Sequence, residues 1–124
     1  MALNIAVVGM GGIGNTHARC YGANPNVKLV AVCDVDANHL AQGQTLLPGL
    51  AAQKDFRRIL ERKDVDVVIN ATPDHWHTLI NIAAMKSGKD VYAEKPLTLT
   101  VDEGRRLART AEQIREQMLQ SLTG

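Results

Sequence analysis

The stretch Leu3-Asn4-Ile5-Ala6-Val7-Val8-Gly9-Met10-Gly11-Gly12-Ile13-Gly14 decides the fold. Its first half is a near-continuous apolar run, the pattern of a strand covered on both faces. Its second half satisfies G-x-G-x-x-G, and a helix-like stretch continues to about Ala23. In a chain with ten glycines the string alone is weak. Between an apolar strand and a helix it acquires meaning, because that is the setting in which a main-chain loop cradles a diphosphate. Gly9 permits the tight turn, Gly11 lets a pyrophosphate approach the backbone, and Gly14 lets helix pack on strand. Gly12 and Ile13 complete the loop and count with it as candidate cofactor contacts. The open N–H groups of the helix's first turn then face the phosphates, favoured by the helix dipole.

The rest of the chain repeats the alternation. Val27 to Cys33 reads as a second buried strand ending at Asp34, and Asp36 as the N-cap of a helix running to about Thr45. Ala51 to Gln53 is a short third strand, and Asp55 to Arg62 a helical turn or two. Val65 to Ala71 is a fourth strand, stopped by Thr72-Pro73. A helix is expected over His77 to Lys86 and a fifth strand over Asp90 to Ala93. Thr100 and Glu103 form a capping box opening a last helix. Its stripe Leu107, Ala111, Ile114, Met118 and Leu122 should face a neighbour. Alternating strands and helices at this spacing imply an α/β fold, a parallel sheet with right-handed crossovers.

Composition narrows the functional classes. The chain has 124 residues, enough for one core and short of two domains. Hydrophobic residues make up 45% and charged residues 22%, too apolar for disorder. Fourteen Lys and Arg against 13 Asp and Glu leave a formal charge of +1, without the cation surplus a nucleic-acid binder needs. Aromatics at 3% exclude base-stacking platforms. No apolar run approaches the roughly 20 residues of a membrane span, and no signal peptide is indicated, so a cytoplasmic location is expected. Cys20 and Cys33 both fall in apolar elements and are expected to be buried thiols.

Asp34 lies 20 residues beyond Gly14, at the carboxyl end of the second strand. There a carboxylate can accept hydrogen bonds from adenosine ribose hydroxyls and would repel a 2′-phosphate, so NAD is expected over NADP. Two further polar segments reach the same sheet edge: Thr72-Pro73-Asp74-His75-Trp76-His77 after the fourth strand, and Glu94-Lys95-Pro96 after the fifth. Ligands of open parallel sheets sit beyond that edge. Asp74, His75 and His77 could bind a metal, although H-x-H alone lacks a third dependable ligand, and His77 could equally be a plain helix-start residue. Lys95 could hold a substrate hydroxyl or take its proton, or simply pair with Glu94. His17 and His39 read as helix-surface residues.

Together these segments resemble the amino-terminal domain of the glucose–fructose oxidoreductase / inositol dehydrogenase / MocA family. The likeness runs from Ile5 to about Arg109. Its carriers are the glycine loop with His17, Ala31-Val32-Cys33-Asp34, Ala71-Thr72-Pro73-Asp74-His75-Trp76-His77, and Ala93-Glu94-Lys95-Pro96-Leu97. The resemblance implies a Rossmann-type doubly wound parallel sheet of about five strands with helices on both faces. It implies hydride transfer between a nicotinamide cofactor and a sugar, cyclitol or related polyol. By analogy Thr72, Pro73 and His77 would line the nicotinamide side, Glu94 would contact its ribose, Lys95 would touch the reacting hydroxyl, and Pro96 would be a cis proline. The family continues into a sixth strand and a large substrate domain, of which no pattern is seen, so a truncated chain is expected, or else a tail reshaped into a longer helix. Such a chain would bind NAD with little turnover and would self-associate. A non-catalytic NAD-binding or interaction module is the alternative, and a fragment without a role a third.

Overall fold

The computed structural model describes residues 3–47, 49–73, 76–94 and 100–123, with the side chains of 118 and 121–123 left aside. Strands β1 (Leu3–Val8), β2 (Val27–Cys33), β3 (Ala51–Gln53), β4 (Val67–Asn70) and β5 (Asp90–Ala93) form one parallel sheet in the order β3-β2-β1-β4-β5. Helices α1 (Gly12–Ala23), α2 (Ala37–Gln44), α3 (Phe56–Leu60), α4 (His77–Lys86) and α5 (Val101–Thr123) alternate with them. The order reverses beside β1: the chain moves outward through β2 and β3, then returns to place β4 on the other side. A crevice opens at that switch, above the carboxyl ends of β1, β2 and β4.

The period of two along β1 explains both cores. Ile5 and Val7 face one side, with Leu29, Val32, Ile69, Ala18 of α1 and Leu40 of α2. Ala6 and Val8 face the other, with Ala31, Val68, Ile59 of α3 and Ile80 and Ala84 of α4. The part of a strand buried on both faces must be apolar throughout, which is why Ile5–Val8 reads as a run rather than an alternation.

Local signals act as expected at the helix starts. The Asp36 carboxylate accepts the N–H groups of Asn38 and His39 (2.8 and 3.2 Å), and Asp55 accepts that of Arg57 (3.0 Å). Thr100 and Glu103 exchange two 3.1 Å hydrogen bonds, the reciprocal capping box.

Three expectations need correction. The fourth strand is shorter than its apolar run, because Val65 is buried without pairing and Ala71 already turns into the loop. The buried stripe of α5 passes through Thr110, with Leu107 and Ile114 half-buried, whereas Ala111 is exposed. Met118 and Leu122 fall among the side chains left aside. Cys33 is buried, but Cys20 is exposed on α1. Among the described residues no helix is long and apolar enough to cross a membrane.

Candidate functional site: a cleft at the switch in strand order

The glycine loop is shaped by contacts that differ along it. Gly9 has φ +93°, and a Cβ there would lie 2.6 Å from the Ala71 carbonyl oxygen, so both conformation and space demand glycine. Its N–H donates to the Cys33 carbonyl (2.7 Å), while the Ala71 N–H donates to the Val8 carbonyl (2.8 Å). At Gly14 a Cβ would overlap the Gly9 carbonyl, 2.7 Å from its carbon, so α1 packs directly on the turn.

Gly11 and Gly12 are different. Among the described residues a Cβ at either would meet nothing within 4 Å, and neither has a positive φ. Gly11 is the N-cap of α1, has no side chain to cap it, and no acidic residue stands in the first turn. The first-turn N–H groups of α1 therefore open toward the crevice.

Asp34 ties the two adjacent loops together. One carboxylate oxygen accepts the Met10 N–H (2.7 Å) and lies 3.4 Å from Nδ1 of His39. The other accepts the Asp36 N–H (2.8 Å). Each oxygen has two lone pairs, so acceptor capacity is left for a further donor. His39 thus belongs to the rim of the cleft rather than to a plain helix surface.

Across β1, the loop after β4 is held by a buried amide that the sequence reading missed. Oδ1 of Asn70 accepts from Thr72 Oγ1 (2.6 Å) and from the Thr72 N–H (3.3 Å). Its Nδ2 donates to Oδ1 of Asn81 on α4 (2.8 Å) and to the His77 carbonyl (3.2 Å). The ring of His77 is buried and donates from Nε2 to the Thr72 carbonyl (2.7 Å). His77 thus stands behind the cleft wall, while Thr72 and Pro73 line the cleft. An Asn closing an otherwise apolar strand was the available signal.

His17 is not a plain surface residue either. It pairs with Glu94 at the end of β5, stacks against Tyr21 and meets Tyr92 edge-on at 5.7 Å between ring centres. The pair connects α1 to the end of β5. Asp74, His75, Lys95 and Pro96 lie outside the described residues, so the metal reading, the substrate-lysine reading and the proline isomer receive no structural account.

These segments surround a cleft of about 920 Å³ that runs from Asp34, Val35 and His39 past Gly11, Gly12 and Ile13 to Thr72, Pro73 and Trp76. Ile13, Val35, Trp76 and Leu79 are exposed large apolar side chains, and all four lie in it. That clustering was not legible in the sequence. Burial, followed by the neighbouring Asp34 and Asp55 charges, pushes the Cys33 thiol up to about 12. It is therefore an inert lining group.

Comparison with known proteins agrees with this geometry. The model of an oxidoreductase family, described as an NAD-binding Rossmann fold, matches residues 3–121. The chain is 34% identical over 110 residues to inositol 2-dehydrogenase of Klebsiella pneumoniae, covering 86% of this chain and 32% of that protein. It is 33% identical over 127 residues to a glycosyl hydrolase family 109 protein of Saccharopolyspora erythraea, covering 95% and 28%. Scyllo-inositol dehydrogenase from Lactobacillus casei, solved with NAD(H) and scyllo-inositol, superposes with a TM-score of 0.87 at 25% identity, covering 94% of this chain and 34% of that one. The chain thus spans about a third of the length of such relatives. It belongs to the Gfo/Idh/MocA oxidoreductase family, whose NAD(P)-binding Rossmann domain it forms.

Proposed function

We propose that the cleft takes NAD rather than NADP and presents its nicotinamide for hydride exchange with a sugar, cyclitol or related polyol. The observation that supports this most strongly is the pair Gly11 and Gly12, which the fold itself does not require. Glycine at two positions with ordinary backbone angles and open surroundings makes sense where a ligand must come against the main chain. In this reading the diphosphate lies on the first turn of α1 and the adenosine ribose donates to Asp34. The nicotinamide half then crosses β1 to Thr72 and Pro73, in front of His77. Asp34 also supports the preference for NAD, because a 2′-phosphate would meet its negative charge. Val35 and Ile13 supply apolar surface for the flat rings.

Glu94, Lys95 and Pro96 follow β5 on the same edge, and we assign Lys95 to the reacting hydroxyl, with Glu94 at the nicotinamide ribose. The bound cofactor would supply the hydride acceptor. The chain's own residues orient it and, through Lys95, hold or move the hydroxyl proton. Turnover also requires the carbinol carbon to be fixed against the ring. The chain spans only about a third of its relatives, so binding without appreciable turnover is the expected behaviour of these 124 residues alone. Tyr92, exposed on the edge strand β5, supports self-association of this chain.

Titration with NADH, followed by its fluorescence, tests the reading, and saturable binding weakened at least tenfold for NADPH is expected. Absence of binding to either would overturn it. A second reading, cleavage of a glycoside with the same cofactor site, is favoured by the relatives named glycosyl hydrolase family 109. One of the relatives is the alpha-N-acetylgalactosaminidase of Shewanella oneidensis, 34% identical over 89% of this chain. With a relative's substrate domain supplied, release of nitrophenol from a nitrophenyl N-acetylgalactosaminide, against NADH formation from inositol, separates the two.

A further inference from the structure

We propose that Asn81, in the middle of α4 and not itself lining the cleft, is a positioning residue for the nicotinamide half of the cofactor. The proposal rests on the dinucleotide reading above and adds a group that touches no ligand. Asn81 is 2% exposed, and among the described residues its Nδ2 has no hydrogen-bond partner. A buried amide with an orphaned donor is costly to keep where an apolar side chain of similar volume would pack. What the side chain does provide is its Oδ1, which accepts Nδ2 of Asn70 at 2.8 Å.

That contact is the shorter of the two that hold Nδ2 of the Asn70 amide in place. Asn70 has no exposure, and each end of its amide makes two hydrogen bonds. With Nδ2 turned to Asn81, Oδ1 is turned to Thr72, where it receives both the hydroxyl and the main-chain N–H. Without the Asn81 acceptor, Nδ2 keeps only the longer 3.2 Å bond to the His77 carbonyl and Oδ1 the 3.3 Å bond from the Thr72 N–H, so the amide is held less firmly in that orientation. A flipped amide would aim an NH₂ group at the Thr72 N–H, donor against donor, and the loop would have to move. The line Asn81 to Asn70 to Thr72 therefore sets the position of the loop after β4 from inside the fold.

Topology makes the effect one-sided. Asp34 follows β2 and the loop at Thr72 follows β4, on opposite sides of β1. A dinucleotide with its diphosphate at α1 and its adenosine at Asp34 must send its other half toward Thr72. Disturbing Asn81 should therefore weaken binding of the nicotinamide half and leave the adenosine half alone.

The test uses the whole 124-residue chain with NADH and ADP as probes, NADH by fluorescence titration and ADP by calorimetry. Asn81→Leu should raise the NADH Kd roughly fivefold, the worth of about one hydrogen bond, and change the ADP Kd less than twofold. Asn81→Asp keeps an acceptor in place and should hold NADH affinity within twofold of the parent. Unchanged NADH affinity in Asn81→Leu refutes the proposal. Parallel loss of NADH and ADP does so too, since it marks general damage to the fold. Should the leucine chain not fold, Asn81→Ala takes its place under the same criteria, and failure of both to fold or to bind ADP also counts against positioning. If the parent chain binds neither probe, the dinucleotide reading itself has failed, a result separable from the others.

Discussion

Replacement of Gly11 by alanine separates what the fold needs from what a ligand needs. Gly11 has φ −68° and ψ −164°, angles any residue adopts, and the added methyl would meet nothing within 4 Å. Stability should therefore fall by no more than about 1 kcal/mol, since alanine is a poorer N-cap than glycine, a loss partly offset because alanine restricts the unfolded chain. Binding should respond very differently. A methyl over the helix's first turn keeps a phosphate from reaching the main-chain N–H groups, and each charge-assisted bond of this kind contributes roughly 1.5–3 kcal/mol. Loss of about two such bonds predicts a Kd for NADH raised 100-fold or more.

Gly14→Ala is the opposite case. Its methyl would overlap the Gly9 carbonyl, and helix α1 would have to withdraw from the sheet. Overpacking against backbone costs more than the roughly 1–3 kcal/mol typical of cores, out of a total near 6–18 kcal/mol for a chain of this length. Thermal unfolding and NADH titration of both proteins are the assays. Were Gly11→Ala to bind NADH as the parent does, or to unfold like Gly14→Ala, the reasoning about the loop would be wrong.

Other expectations follow from neighbouring groups. Asp34→Ala should narrow the ratio of NADH to NADPH affinity and also lower stability by about 1–3 kcal/mol, because the Met10 and Asp36 N–H groups lose their acceptor. An unchanged ratio would remove Asp34 from the ribose. At pH 8 a thiol reagent should titrate one cysteine of the folded chain, Cys20, since a thiol at about 12 is roughly one part in ten thousand thiolate. Rapid reaction of two would show that Cys33 is accessible. Below pH 4 the chain should become easier to unfold with urea. Main-chain donors from His39 and Asn38 hold the Asp36 carboxyl below its usual range, and the Arg57 and Arg62 guanidiniums do the same for Asp55 and Asp64. A carboxyl whose folded pKa is depressed stabilises the fold above its unfolded value near 3.9 and loses that contribution as pH falls through the folded value. A urea midpoint that rises between pH 5 and pH 3 would contradict this.

Much of the fold was legible before any coordinates, because its signals are local. Leu3–Val8 must be a strand with two covered faces, Asp36 and Thr100 cap helices through atoms two or three residues away, and the glycine loop has its own spacing. Interactions that close over long separations were not legible. His17 meets Glu94 across 77 positions, and nothing in either neighbourhood announces the pair. Asn70 reads as one polar residue at the end of an apolar strand until α4 folds back and brings Asn81 to it. Likewise Ile13, Val35, Trp76 and Leu79 are scattered apolar residues in the chain and become one exposed wall only when three segments meet. Sequence by itself determined the element types, the glycine loop and the acid after β2, since each depends on neighbours along the backbone. Tertiary structure alone decided that His77 stands behind the wall, that Gly11 is open while Gly14 is closed, and which way a buried amide points, because those depend on distances set only when the sheet is assembled.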